Sequence, residues 1–124
     1  MIAINIEGFE VPSQNVTMRQ HWAKTAKMNT RLLMTIKCMI KESHKVSADH
    51  PIKRRVKIIA YRKRFISDHS NLVGGCKGLI DAIKRAGLLV DDSDQWMRAE
   101  YWQSKASESP TGKPYTTITI TDEE

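Results

Sequence analysis

The chain is poor in cysteine. It has two, Cys38 and Cys76, and both fall inside apolar helical patterns. This points to buried thiols in a reducing compartment rather than to a disulfide framework. No CxxC or HxxxH spacing is present, and His21, His44, His50 and His69 are scattered, which argues against structural zinc. No apolar run approaches the ~20 residues needed to span a bilayer. The opening MIAINIEGFE has neither a basic segment nor a signal-peptide pattern. The expectation is a cytoplasmic protein without a membrane partner. Repeats, linkers and low-complexity tracts are missing too, so residues 1–124 read as one domain with a modest core.

Acidic residues are outnumbered, 14 against 20 basic, for a net charge of +6. The excess is concentrated between Lys45 and Ile66, where Lys45, Lys53, Arg54, Arg55, Lys57, Arg62, Lys63 and Arg64 face one acid, Asp49. The C-terminal TDEE is acidic. A basic middle favours a polyanion partner, because each neutralised phosphate releases counterions. A solvated, solubilising surface accounts for the charge equally well.

Ile2, Ile4 and Ile6 alternate with Ala3 and Asn5, which predicts an opening strand buried on one face. Thr17 and Gln20 have capping-box spacing, which predicts a long helix to about Glu42 with a weak point at Asn29-Thr30. Trp22, Ala26, Leu33, Ile36 and Ile40 would be its core stripe, and Lys24, Lys27, Arg31 and Lys41 its solvent side. After a polar connection from Ser43 to Pro51, Val56, Ile58 and Ala60 predict a second strand with Arg54-Arg55 and Arg62-Lys63-Arg64 at its ends. A second helix is capped by Ser70-Asn71, carries Leu72, Cys76, Leu79 or Ile80, and Ile83, and stops at Gly87. Leu88 to Val90 reads as a short strand leading into Asp91-Asp92. Trp96–Gln103 and Pro114–Thr121 read as two adjacent final strands. The order β-α-β-α-β-β argues an α+β fold around one small mixed or antiparallel sheet with two helices.

Carboxylates punctuating a basic chain from Ser67 to Gln95 suggest divalent-metal chemistry on a phosphodiester. Mg²⁺ prefers oxygen ligands and commonly uses one or two protein carboxylates with waters and substrate phosphates. Asp68 and Asp92 are candidate ligands. Asn71 can add a carbonyl oxygen, and Lys77 can stabilise charge or orient a carboxylate. Plainer readings stand beside these. Asp68 suits a helix N-terminus, Lys77 and Asp81 have the spacing of a surface pair, and Asp91-Asp92-Ser93-Asp94 suits a turn.

Asp68-x-x-Asn71-Leu72, Lys77-x-x-x-Asp81-Ala82-Ile83, Ala86-Gly87-Leu88 and Asp91-Asp92 together resemble the RusA family of Holliday-junction resolvases. Gly74-Gly75-Cys76-Lys77 is similar to the phage-type members. Pro12-Ser13-Gln14-Asn15 and Arg19-x-His21-Trp22 extend the likeness over essentially the whole chain. The resemblance implies a homodimeric, Mg²⁺-dependent endonuclease that makes paired nicks in four-way DNA junctions. Asp68, Lys77 and Asp92 fall on the family's catalytic positions, with Asp81 and Asp91 on recurring ones. Lys24, Lys27, Arg31, Arg54, Arg55, Arg62, Lys63 and Arg64 become candidate phosphate contacts.

One departure alters the chemistry. Where the family commonly has a second aspartate two residues after the first, this chain has Ser70, which brings no negative charge. Asp91 or water then completes the coordination, or the enzyme is slow, or the protein binds branched DNA without cutting it. His69 reads as an exposed loop histidine. Distance adds a constraint, since a straight helix from Asn71 to Ala86 would be ~24 Å long and Leu88–Val90 returns only ~10 Å. Asp68 and Asp92 can share a site only if the helix begins near Cys76 or a second subunit completes it.

Overall fold

The computed structural model describes residues 1–47 and 49–123. Ala48, in the polar connection, and Glu124, last of the acidic tail, lie outside the described residues. The fold is α+β, as the sequence pattern predicts. Its elements are β1 (Ile2–Glu7), α1 (Gln14–Arg19), α2 (Trp22–Met39), a 3₁₀ turn (Glu42–His44), β2 (Arg54–Arg62), α3 (His69–Gly75), α4 (Lys77–Arg85), β3 (Met97–Lys105), a second 3₁₀ turn (Ala106–Glu108) and β4 (Tyr115–Asp122). Among the described residues no helix is long and apolar enough to cross a membrane.

The sheet order is β1-β4-β2-β3. β4 runs antiparallel to both β1 and β2, with Ile118 opposite Ile4 on one side and Ile58 on the other. β3 runs parallel to β2 at the edge. The last two strands, expected to be adjacent, are therefore separated by β2. Parallel neighbours need a crossover connection, and α3 and α4 supply it. Ile2, Ile4, Val56, Ile58, Ile118 and Ile120 bury one face of the sheet against Leu32, Ile36, Leu72, Leu79 and Ile83 of the helices. A fully buried isoleucine such as Ile58 contributes roughly 1.5–3 kcal/mol through removal from water.

The first helical stretch departs from expectation. Ser13, not Thr17, is the N-cap of α1, its Oγ accepting from the Val16 N–H at 3.3 Å. Gln20 and His21 are extended, and the His21 Nδ1 accepts from the Ala23 N–H at 3.2 Å to start α2. The interruption is thus at Gln20-His21, because a side chain there replaces the helical bond, and Asn29-Thr30 lies in unbroken helix. Leu32 and Ile36 are the buried residues of α2, while Trp22 is 76% exposed and Ala26 is exposed. The periodic stripe extends beyond the part of the helix that meets the core.

The second helix is split at Cys76 into α3 and α4, and Asp68 rather than Ser70-Asn71 is its N-cap. The Gly-Gly pair closes α3 instead of preceding the helix. A Cβ on Gly75 would run into the Pro12 carbonyl, so this glycine permits α3 to pack on the segment before α1. At the far end Gly87 adopts φ +90°. The Leu88 N–H reaches the Ile83 carbonyl (3.1 Å) and the Gly87 N–H that of Lys84 (3.0 Å), a Schellman closure as expected from sequence. Leu88–Val90 is not a strand. The Leu88 carbonyl is taken by the Arg54 guanidinium (2.9 Å) instead of by a neighbouring strand.

Candidate functional site

Every carboxylate singled out between Ser67 and Gln95 lies on the crossover from β2 to β3. Its first end is fixed by bonds to β3. The Gln103 side chain accepts from the Ile66 N–H (2.7 Å) and donates to the Ile66 carbonyl (2.9 Å), pinning the backbone two residues before Asp68. The next residue, His69, meets Tyr101 of β3 edge-on, with ring centroids 6.5 Å apart. Asp68 is thereby held at the start of α3, exposed, with the Asn71 N–H donating to its carbonyl at 3.0 Å.

Asp68 Oδ1 accepts twice from Ser70, from the hydroxyl at 2.7 Å and from the N–H at 2.9 Å. Those two bonds, the hydroxyl foremost, hold the carboxyl below its usual range, so it is anionic at neutral pH. Ser70 is therefore an orienting donor to Asp68. A carboxylate at that position would bring charge in place of the hydroxyl donor.

The far end is held by a cation that the sequence reading missed. Lys84 Nζ lies 2.9 Å from Asp91 and 3.9 Å from Asp92. Its hydrogen bond, followed by the Asp92 N–H, lowers the Asp91 carboxyl to about 2, and Asp91 in return raises Lys84. The signal for Lys84 was its place in the last turn of α4, directly before the Gly87 reversal that folds Asp91 back over that turn. Lys77, at the first position of α4, is exposed and forms no ion pair with Asp81 among the described residues. Asp81 is half-buried and lines a cleft with Asn29 and Gly78.

Tyr101 packs its ring against His69, the residue after Asp68. Burial, then Cys76, then the charge of Asp92 push its phenol upward. Neither Tyr101 nor Gln103 carries a motif. They are recognisable only as inward-facing neighbours two apart on β3. The helical stretch begins at His69 and not near Cys76, so the α3–α4 break at Cys76 is the irregularity the crossover has in place of a late helix start.

Asp68 and Asp92 offer hard, exposed oxygens of the type Mg²⁺ takes, and Asn71 adds a half-buried amide beside the first. Asp91 is committed to Lys84. Among the described residues no three His, Cys, Asp or Glu side chains converge on one point. The donor chemistry therefore suits an ion held by one or two carboxylates with water and phosphate oxygens, and does not form an all-protein cage.

The basic candidates divide sharply. Arg54 is not a surface contact. It is 5% exposed, and its guanidinium donates to the His44 carbonyl (2.6 Å), the Leu88 carbonyl (2.9 Å) and Asp122 (3.1 Å). Arg62 ties the Val11 carbonyl to that of Arg64. Arg55 shares Glu123 with Arg98 and Lys53. Lys24, Lys27 and Arg31 line an open groove of about 490 Å³ between α2 and the end of β1, floored by Phe9, Met28 and Leu32. Lys63 and Arg64 are exposed at the end of β2. Those five have no acidic partner among the described residues.

Set against known proteins, the chain matches no family model and no curated protein.

Proposed function

We propose that this protein is a Mg²⁺-dependent, structure-selective endodeoxyribonuclease that acts as a homodimer and nicks four-way DNA junctions during recombination or repair. The observation that carries the reading is an exposed, anionic Asp68, fixed by Ser70, on the same β2–β3 crossover that carries the exposed Asp92. Two basic surfaces, at α2 and at the end of β2, stand ready for a DNA backbone. The motif resemblance supplies the reaction class. When bound, Mg²⁺ would lower the pKa of an attacking water and offset charge on the scissile phosphate. Asp68 and Asp92 would hold it, with Asn71 contributing a neutral oxygen. Ser70 fixes the Asp68 carboxylate in one orientation. Lys77 stands unpaired at the start of α4, available to a phosphate oxygen. Lys24, Lys27, Arg31, Lys63 and Arg64 position the backbone without reading sequence. A two-fold dimer suits two symmetric cuts.

Nicking of a synthetic four-way junction, with and without Mg²⁺, is the test. Metal-dependent paired nicks are expected, and their absence under all divalent conditions would remove the enzyme reading. One observation favours a second reading, binding without cutting: the position that would carry another carboxylate holds Ser70, whose hydroxyl occupies Asp68 Oδ1. Ser70→Asp separates the two. A large gain in nicking would mark a site short of one ligand, and unchanged nicking would mark one complete without it.

A further inference from the structure

We propose that the groove between Phe65 and the β3–β4 connection binds an unpaired DNA strand, one base stacking on Phe65 and the phosphates meeting Lys63, Arg64, Lys105 and Lys113. This deepens the nuclease reading, on which it rests only in taking DNA as the polyanion. The groove holds about 720 Å³ and is lined by those four cations, Phe65 and Ser107. That volume is within the range of small-ligand clefts. None of the four cations has an acidic partner among the described residues. Two acids come near, Glu10 accepting from the Lys63 backbone N–H (3.0 Å) and Glu108 from the Ser104 hydroxyl (2.9 Å), and neither forms an ion pair with the four cations.

Phe65 is 56% exposed, although the next residue, Ile66, is buried. A large aromatic ring left in water amid lysines adds little to the core. It has the form of a stacking platform, and stacking accepts any base because every base has a π-face. Cations from two separate stretches, Lys63-Arg64 and Lys105 with Lys113, border the same groove, which suits a flexible backbone passing between them. Phe65 is three residues before Asp68. A strand held there is led towards the α3 N-cap, so forks and flaps with an unpaired arm should bind more tightly than a fully paired junction.

The test is fluorescence anisotropy of a labelled oligo-dT of roughly ten nucleotides, in EDTA, across a range of salt. Phe65→Ala should weaken binding about tenfold with the salt slope unchanged. Lys105→Ala combined with Lys113→Ala should reduce that slope by about 1.4, or about 0.7 per charge removed. An abasic oligomer of the same length should be indifferent to Phe65→Ala. Unchanged dT binding in both variants, or an equal loss on the abasic oligomer, overturns the proposal. Tighter binding of oligo-rU than of oligo-dT overturns the assignment to DNA. Because no metal is present, the two readings fail separately. A protein that never nicks but binds dT as described keeps the groove. One that nicks junctions while both variants bind dT like wild type loses the groove and keeps the nuclease.

Discussion

The two ends of the crossover hold their carboxylates by different means. Asp68 is fixed by a neighbour two residues away, through the Ser70 hydroxyl and N–H, with the backbone pinned to β3 by Gln103. Asp91 and Asp92 are fixed by a lysine seven and eight residues back, which reaches them only because Gly87 reverses the chain. The first end is local and neutralised by dipoles; the second is tertiary and neutralised by a full charge. A carboxylate held by hydrogen bonds keeps its charge available to a cation, whereas one paired to lysine must give up that partner first. This makes Asp68 and the more loosely paired Asp92 the expected ligands, and Asp91 the structural member of its pair.

That division can be broken from either end. Asp92→Asn should reduce junction nicking on the order of a hundredfold or more while leaving binding in EDTA unchanged. Undiminished nicking would remove Asp92 from the reaction. Next in size is Arg54→Met, which leaves the His44 and Leu88 carbonyls without their donor inside the fold. It should cost about 2–4 kcal/mol in urea unfolding, and because Leu88 leads into the distal loop it should also weaken nicking. A fully stable Arg54→Met protein would show that the distal loop does not depend on that buried cation.

At the proximal end, two substitutions separate charge from capping. Asp68→Asn retains an N-cap acceptor, so it should lose nicking with little change in Tm, whereas Asp68→Ala should lose both. Equal Tm for the two would mean that the cap contributes nothing. The smallest effect is expected from Lys84→Met, read as Tm against pH. The Asp91 carboxyl lies near 2 in the folded protein, below its ordinary 3.8, so its pairing stabilises the fold above about pH 4 and is lost as pH falls through about 2. Lys84 is raised, so its share is present at neutral pH and lost as the solution becomes alkaline enough to deprotonate it. Lys84→Met should flatten both limbs. An unchanged acid limb would assign that titration to other carboxylates.

Much of the fold was legible because period-two patterns in Ile2–Ile6, Val56–Ala60 and Thr116–Ile120 survive burial on one face. The Gly87 stop was legible because a left-handed residue ends a helix wherever it occurs. The helix starts were misread. Thr17-x-x-Gln20 has the spacing of a cap, yet Ser13 and His21 have the backbone geometry to act as caps, and only the folded chain selects among competing acceptors. Trp22 fits the helical period but lies beyond the reach of the core, which a pattern cannot measure. Arg54 was misassigned for a related reason. An arginine at a strand end in a basic run looks like surface until the His44 and Leu88 carbonyls that it caps inside the fold are seen. Asp68, Asp91 and Asp92 were candidates by residue type and spacing, and the structure places them at the two ends of one crossover. Tyr101 and Gln103 act through contacts spanning 32 and 37 positions of sequence and carry no local signature, and Lys84 is marked only by its place in the last turn before Gly87.

The most direct test of the central claim is wild-type protein, a four-way junction and Mg²⁺ in one tube, with products resolved on a denaturing gel. Paired nicks that vanish with EDTA and with Asp92→Asn are the predicted result. Tight junction binding with no nick at any Mg²⁺ or Mn²⁺ concentration would contradict the enzyme reading.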